Sequence, residues 1–167
     1  DVKASRGLGD VYKRQTDFTP TNDSVYENDE TATIAITGVS GGGASESGSQ
    51  SVTITISEDE SAPTVTLSVS ATSIAENAGS SLTLTATLSG AADEAVTVAL
   101  STSGTSTEGT DYTYGSGNID DITISAGSTT GTVNFTPTDD SVYEGNETAI
   151  VAISSVSGAD ASESGSQ

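Results

Sequence analysis

Carboxylate side chains are concentrated in a short loop that occurs twice in the chain. The copies are residues 18–30, with the sequence FTPTNDSVYENDE, and residues 135–147, with the sequence FTPTDDSVYEGNE. Several acids in one tight loop repel one another unless water or a cation offsets their charge. Carboxylate oxygens are the ligands that Ca²⁺ prefers. We therefore interpret the repeated loop as a calcium loop, with a solvated acidic turn as the alternative.

The residue types that are absent exclude several other kinds of chemistry. The sequence contains no His and no Cys, which excludes disulfides, thiol chemistry and the usual zinc sites. Paired carboxylates can act as general acid and base. Here they have no His or Cys partner, and few aromatic residues are available to line a substrate cleft. We therefore expect a protein without enzymatic activity.

Charge is distributed unevenly along the chain. The formal net charge is −20, and all four basic residues lie within positions 1–15. A surface of one negative sign repels nucleic acid and attracts cations, so we expect no nucleic-acid partner. No apolar run approaches the ~20 residues that a membrane helix needs, so we expect no transmembrane segment in this chain.

Residues 1–15 differ in composition from everything that follows. They are basic, they lack the apolar core of a signal peptide, and they end in GLGDVYKRQ, which resembles translated sequencing-adapter read-through. We interpret this segment as non-native and adapter-like, and a genuine basic linker is the alternative. It is left out of the fold prediction.

The rest of the chain is a tandem repeat. Residues 18–50 align without a gap on residues 135–167, with 24 identities in 33 positions. The predicted units are the C-terminal part of a first module (16–60), a linker in which Pro stops strand pairing (61–63) and a second module (64–167). We expect the second module to lack its last strand, whose sequence would resemble residues 51–57.

Regular alternation of apolar residues with Thr and Ser predicts half-buried strands in the second module. The predicted strands are 64–70, 81–88, 95–101, about 119–124, 130–136 and 147–154. With a seventh strand and turn residues between them, they predict an all-β fold, specifically an immunoglobulin-like antiparallel β-sandwich.

Strand parity predicts where the acids meet. In an up-and-down succession of strands, the connections after strands one, three and five lie at the same pole as the end of strand seven. The acids in those connections are Glu76, Glu108, Asp111, Asp139, Asp140 and Glu144, followed by Glu58, Asp59 and Glu60 as they stand in the first module. The prediction assumes that residues 112–114 are not a strand of their own.

In this order the acidic segments resemble the Calx-beta domain family. The matching segments are IAENAG at 74–79, GTDY at 109–112, DDSVYEGNE at 139–147 and the acidic run at 58–60. The resemblance implies a calcium-binding β-sandwich found in sodium–calcium exchangers, in an integrin cytoplasmic tail and in tandem in large bacterial surface proteins. Tandem modules without Lys most resemble the last group, which implies an extracellular or cell-surface setting.

The resemblance also implies a set of Ca²⁺ ligands. In the second module these are Glu76, Asp111, Asp139, Asp140 and Glu144; in the first they are Asp23, Glu27, Glu58, Asp59 and Glu60. Asn22 replaces the first acid of the pair in the loop, which removes a charge but keeps a carbonyl oxygen. We expect Glu30 and Glu147 either to lie at the start of the following strand or to contact the ligands without binding the metal themselves.

Further expectations concern aromatic residues and one acidic pair. We expect Tyr26 and Tyr143 to pack beneath their loops, and Phe18 and Phe135 to lie in the core. We expect the acids at 120–121 to begin a strand and face water.

Two functions from different classes remain open. The first is a calcium-binding spacer module with a role in adhesion or cell communication. In it, Ca²⁺ rigidifies the module tip and the junction with a neighbouring module of the same chain. The second is a metal-independent recognition or spacer module that binds a glycan or a protein, with acids that only keep it soluble. Dependence of stability on Ca²⁺ would favour the first.

Overall fold

The computed structural model describes residues 15–115 and 121–165. The strands in chain order are β1 (Val25–Tyr26), β2 (Glu30–Ala35), β3 (Ser51–Ile56), β4 (Thr64–Val69), β5 (Leu82–Leu88), β6 (Ala91–Ala92), β7 (Val96–Gly104), β8 (Tyr112–Tyr114), β9 (Ile122–Ile124), β10 (Thr130–Pro137), β11 (Ala149–Ser157) and β12 (Ser162–Glu163). A 3-10 turn, Glu76–Ala78, lies between β4 and β5. Within these described ranges no helix is long and apolar enough to cross a bilayer.

Two sheets form a β-sandwich, which confirms the predicted all-β fold. One sheet has the order β12-β4-β5-β10-β8 and the other the order β11-β7-β9. Apolar and polar residues alternate along the strands, so one face of each strand is buried. In β5, for example, Leu84, Ala86 and Leu88 are buried, while the Thr residues between them are partly exposed. In β7, Val96 and Val98 supply the opposite wall of the core.

The predicted strands of the second module correspond to β4, β5, β7, β9, β10 and β11. The assumption about residues 112–114 is wrong, because they form β8. This strand pairs with β10 in one sheet, whereas β9 pairs with β7 in the other. The strand count allowed for one strand in this region, but the structure has two short ones, β8 and β9. They belong to different sheets, so the chain changes sheet between them.

Aromatic packing explains why so short a strand as β8 is held in place. Tyr112 and Tyr114 are buried, and the ring of Tyr112 stacks on that of Phe135 with centroids 4.6 Å apart. The Tyr114 hydroxyl is hydrogen-bonded to Thr102 Oγ1 at 2.9 Å. Phe135 packs against the core as predicted. Phe18 is 44% exposed, so its predicted core position is wrong; it lies before β1, outside any strand.

The first module contributes a two-stranded antiparallel sheet, β2 with β3, that is separate from the sandwich. β1 instead pairs in parallel with β6 of the second module. Pro63 is fully buried, and its carbonyl accepts a 3.2 Å hydrogen bond from Ser162 N. The module limits 16–60, 61–63 and 64–167 stay predictions.

Two predictions fall wholly or partly outside the described residues. The interpretation of segment 1–15 concerns residues 1–14, which are not described. Of the acidic pair at 120–121, only Asp121 is described; it is exposed and precedes β9.

Candidate metal centre

Three connections bring acids together at one end of the sandwich. Asp140 N donates a 3.2 Å hydrogen bond to Oε1 of Glu76, which lies in the 3-10 turn. Carboxylate oxygens of Asp111, Glu144 and Glu147 all lie within 4.8 Å of one another. We call these five residues the tip cluster. It contains four of the five residues predicted for the second module. The fifth, Asp139, is exposed on the same loop.

Backbone donors orient two of the aspartates in the tip cluster. Asp111 Oδ2 accepts a 2.5 Å hydrogen bond from Thr107 N, and Asp140 Oδ1 accepts one of 2.6 Å from Val142 N. The Asp111 carbonyl accepts a 2.9 Å bond from Thr138 N, which ties the start of β8 to the loop after β10. Short local bonds of this kind are what Asp side chains form in turns.

The start of β11 is fixed immediately after Glu147. The carbonyl oxygen of Thr148 accepts hydrogen bonds from Thr105 N at 2.9 Å and Ser106 N at 3.1 Å. This close approach requires Gly104, whose φ is +125° and where a Cβ would collide with the Thr148 carbonyl. The glycine therefore sets the position from which Glu147 reaches the tip cluster.

Desolvation and mutual repulsion raise the pKa values of two acids in the tip cluster. Partial desolvation raises the pKa of Glu144, and the negative charges of Asp111, Asp140 and Glu76 raise it further. The pKa of Glu147 is raised by desolvation and then by Asp111. No Lys or Arg occurs after position 14 to offset these charges. A bound cation would relieve the repulsion directly.

Glu147 is the residue that the sequence analysis placed differently. It was expected at the start of a strand or behind the ligands, but β11 begins at Ala149 and the Glu147 carboxylate lies among those of Asp111 and Glu144. The same position is Glu30 in the first copy of the loop, and this repetition was the sequence feature that could have placed Glu147 among the candidate ligands. Glu108, also predicted at this pole, has a buried Oε1 without a hydrogen-bond partner in the described part of the chain.

A second acidic group lies where the first module's loop meets the run after β3. Oε2 of Glu58 accepts a 2.5 Å hydrogen bond from Glu27 N, and Oε1 accepts one of 2.7 Å from Glu60 N. The Asn22 side-chain amide donates to Asp59 Oδ2 at 3.1 Å. Carboxylate oxygens of Glu58, Asp59 and Glu60 lie within 4.8 Å of one another. We call Asn22, Asp23, Glu27 and residues 58–60 the junction cluster.

The junction cluster also contains perturbed acids. A hydrogen bond with Glu58 is the largest influence that raises the pKa of Glu60 to about 7. The pKa of Glu58 is lowered, chiefly because its carboxylate accepts the Glu60 backbone N–H. Desolvation, followed by the charge of Asp23, raises the pKa of Glu27. Asp23 Oδ1 accepts a 2.8 Å bond from Val25 N, which shapes the loop that leads into β1.

Tyr26 connects the junction cluster to the second module. Its carbonyl accepts a 3.0 Å hydrogen bond from Asp93 N, and its hydroxyl donates one of 3.1 Å to Asp160 Oδ2. Its ring packs against the core of the sandwich. The prediction that Tyr26 and Tyr143 pack beneath their own loops is therefore wrong, since Tyr26 packs on the next module and Tyr143 is 98% exposed.

The donor sets of both clusters fit a hard divalent cation. All their side-chain donors are carboxylate oxygens, with the Asn22 carbonyl as a possible addition in the junction cluster. Ca²⁺ and Mg²⁺ take such oxygen ligands, whereas softer metals prefer nitrogen or sulfur.

A β-sandwich with acidic loops gathered at one end defines the class of module. The family model of the Calx-beta domain matches residues 58–166, so the chain belongs to the Calx-beta domain family, as its sequence indicated. This is a family of non-catalytic modules. Comparisons with curated proteins and with solved structures gave no match.

Proposed function

We propose that the chain is a calcium-binding repeat of a large extracellular or cell-surface protein, with a role in adhesion or cell communication. One observation carries the proposal: carboxylates of Asp111, Glu144 and Glu147, from two connections, lie within 4.8 Å of one another. Like charges gathered this closely raise the free energy of the metal-free fold, and a dication reverses that cost.

In the tip cluster, Glu76, Asp111, Asp140, Glu144 and Glu147 would hold the ion, with Asp139 as an additional ligand. The ion would supply positive charge where three connections meet. Because these connections come from separate parts of the sequence, binding would stabilise the folded tip relative to the unfolded chain.

In the junction cluster, an ion would act on the contact between modules. Glu27 and Asp23 flank Val25 and Tyr26, which pair with β6 of the second module. Glu58 already bridges the loop to the run after β3 through its bond with Glu27 N. A cation held by Asp23, Glu27 and residues 58–60 would fix the loop, and with it the Tyr26 contact. Calcium would thereby stiffen the joint between neighbouring modules.

The proposed role is structural rather than enzymatic. The acids of the two clusters have neither His nor Cys beside them, because the chain contains neither residue. The tandem arrangement and the charge of one sign agree with modules of large bacterial surface proteins, which supports the extracellular assignment. Binding of a glycan or protein that persists in chelator would instead support the metal-independent recognition module.

Calorimetric titration of the full chain with Ca²⁺ tests the proposal. We expect saturable binding, weakened by Asp111→Asn and by Glu144→Gln. Glu163→Gln is the matched control, because Glu163 is an exposed acid on β12 and belongs to neither cluster. Thermal unfolding should occur at a higher temperature in Ca²⁺ than in excess chelator. Identical unfolding curves in the two conditions would refute calcium binding.

A further inference from the structure

The turn that follows β11 has an unusual backbone. Ala161 N donates a 3.0 Å hydrogen bond to the Gly158 carbonyl, which closes the turn. The two residues between them, Ala159 and Asp160, have φ angles of +50° and +48°, and no other non-glycine residue in the described part of the chain has a positive φ. Side chains are disfavoured in this conformation, although Asp tolerates it better than most residues. The turn therefore carries two side chains where glycine would cause less strain.

The first module forms the same turn from glycine alone. Residues 41–43 align with residues 158–160 in the repeat, and their φ angles are +92°, +63° and +70°. Here too the turn is closed by the residue that follows it, because Ala44 N donates a 3.1 Å hydrogen bond to the carbonyl of the first glycine. Two of the nine differences between the aligned repeats fall at the two central positions. The turn itself therefore requires neither side chain.

The two side chains have different environments. Ala159 is 2% exposed and belongs to the core of the sandwich. Asp160 is exposed, so packing does not account for it. An Asp in a turn commonly accepts a hydrogen bond from nearby backbone. In the described part of the chain, however, the Asp160 carboxylate accepts a 3.1 Å bond from the Tyr26 hydroxyl and none from its own turn. Compared with Gly43, Asp160 therefore adds a contact with the first module.

The segment that follows β6 positions this turn. Glu94 Oε2 accepts a 3.4 Å hydrogen bond from Ala159 N. A Cβ on Gly158 would lie 2.2 Å from the Ala95 carbonyl oxygen, so the two backbones are in close contact. β6 itself pairs with β1 of the first module. The segment that binds the backbone of the acidic loop thus also positions the carboxylate that meets the Tyr26 hydroxyl.

We propose that Asp160 is the residue by which the second module recognises the tyrosine of the acidic loop that precedes it. Pairing with β6 uses backbone groups, which every residue except Pro offers, so it distinguishes few partners. The bond to Asp160 requires a phenol hydroxyl on the loop and an acceptor on the turn. A module with glycine at this position, as at Gly43, lacks the acceptor and holds such a loop less firmly.

This role explains why a strained backbone carries an exposed acid. Residues in sparsely populated conformations are often found at functional sites. A carboxylate also forms stronger hydrogen bonds than a neutral acceptor. The inference does not depend on calcium binding, because Tyr26 and Asp160 belong to neither the tip cluster nor the junction cluster.

Hydrogen exchange of two backbone amides, measured by NMR on the full chain in excess chelator, tests the proposal. Asp93 N donates a 3.0 Å bond to the Tyr26 carbonyl, so its exchange reports opening of the contact between the modules. Gly127 N donates a 2.7 Å bond to the Ala92 carbonyl within the second module, so its exchange reports the stability of the sandwich.

Asp160→Gly installs the residue found at Gly43, which keeps the turn and removes the acceptor. We expect exchange at Asp93 to become roughly tenfold faster, because a hydrogen bond to a charged group is lost. Exchange at Gly127 should be unchanged. Adding Tyr26→Phe to Asp160→Gly should cause no further increase at Asp93, since the two residues form one bond.

Two further variants separate the hydrogen bond from charge. Asp160→Asn tolerates positive φ and keeps an acceptor oxygen, so exchange at Asp93 should stay closer to that of the unaltered chain than to that of Asp160→Gly. Glu163→Gln is the matched control, because it removes one negative charge from an exposed position on β12. It should leave both amides unchanged.

Three results would overturn the proposal. The first is exchange at Asp93 that is equal in Asp160→Gly and the unaltered chain. The second is an equal increase at Asp93 and Gly127, which would give Asp160 a role in the stability of the second module alone. The third is an Asp160→Asn variant as fast as Asp160→Gly, which would assign the effect to charge. None of these outcomes bears on the calcium titration, so the two proposals fail separately.

Discussion

The hydroxyl of Tyr26 donates a 3.1 Å hydrogen bond to Oδ2 of Asp160, 134 residues further along the chain. Together with the pairing of β1 and β6, this bond joins the acidic loop of the first module to the far end of the second. The joint is thus built from a loop that also carries the junction cluster, and the first prediction concerns that joint.

Replacing Tyr26 with Phe should loosen the contact between the modules. The ring would still pack, but the bond to Asp160 would be lost. We expect proteases to cleave the segment between β3 and β4 faster in this variant. Tyr143→Phe is the matched control, because it makes the same change at the equivalent, 98% exposed position. Equal cleavage rates for Tyr26→Phe and the unaltered chain would show that the hydroxyl has no part in the joint.

Replacing Glu147 with Gln should weaken calcium binding about as much as Glu144→Gln does. Both carboxylates lie within 4.8 Å of Asp111, so both are placed to donate to one ion. Loss of one carboxylate should lower the affinity measured by calorimetry by at least tenfold, or about 1.4 kcal/mol. An unchanged affinity would return Glu147 to the role expected from sequence, next to a strand rather than on the metal.

The metal-free protein should become less stable as the pH rises from about 4.5 to about 7. The pKa of Glu60 is raised from 4.5 to about 7, and those of Glu27, Glu144 and Glu147 are also raised. In this window the folded chain binds more protons than the unfolded chain, so the free energy of unfolding falls as pH increases. Unfolding in chelator should therefore require more heat at about pH 5 than at about pH 8.

The variant Glu60→Gln separates this local effect from the general repulsion of a chain with net charge −20. It should make the dependence of unfolding temperature on pH shallower. Glu163→Gln removes one negative charge elsewhere and should leave the slope close to that of the unaltered chain. A slope that is the same in both variants would assign the pH dependence to net charge alone.

Replacing Gly104 with Ala should destabilise the second module by about 1–3 kcal/mol or more. An Ala at this backbone angle is strained, and its Cβ would displace the Thr148 carbonyl that anchors the start of β11. Gly145→Ala is the control, because no atom lies within 4 Å of the added Cβ; its effect should stay within about 0.5 kcal/mol. Urea denaturation measures both. A tolerated Gly104→Ala would contradict the tight turn.

Much of the sandwich was predictable because its strands carry their pattern locally. In β5, Leu84, Ala86 and Leu88 alternate with Thr, and this period of two identifies both the strand and its buried face. β8 was missed because its three residues are too few to show a period, and what fixes them is stacking on Phe135, 21 residues or more away. Parallel pairing of β12 with β4 likewise depends on contacts across the whole module.

The convergence of acids from three connections was predicted from a strand count that left out β8. The strand count required residues 112–114 to be a loop, but they form β8. Glu76 and Asp140 still meet, because β8 and β9 run in the same direction and together take the chain once from the acidic end of the sandwich to the other end. For Glu147, proximity to a strand in sequence did not show where the flexible side chain points, and the structure places its carboxylate beside those of Asp111 and Glu144. Tyr26 was misplaced because its partner, Asp160, belongs to a different module.

Val142 and Tyr143 occupy in the second module the positions that Val25 and Tyr26 occupy in the first, and both are exposed. The Tyr26 contact is heterologous, since the acidic end of one unit meets the opposite end of the next. Repeated in a chain with more such units, a contact of this kind forms a ring only if its rotation closes, and otherwise an open filament whose two ends differ. The bending stiffness of such an assembly would then differ from one joint to the next, according to which acidic loops hold an ion.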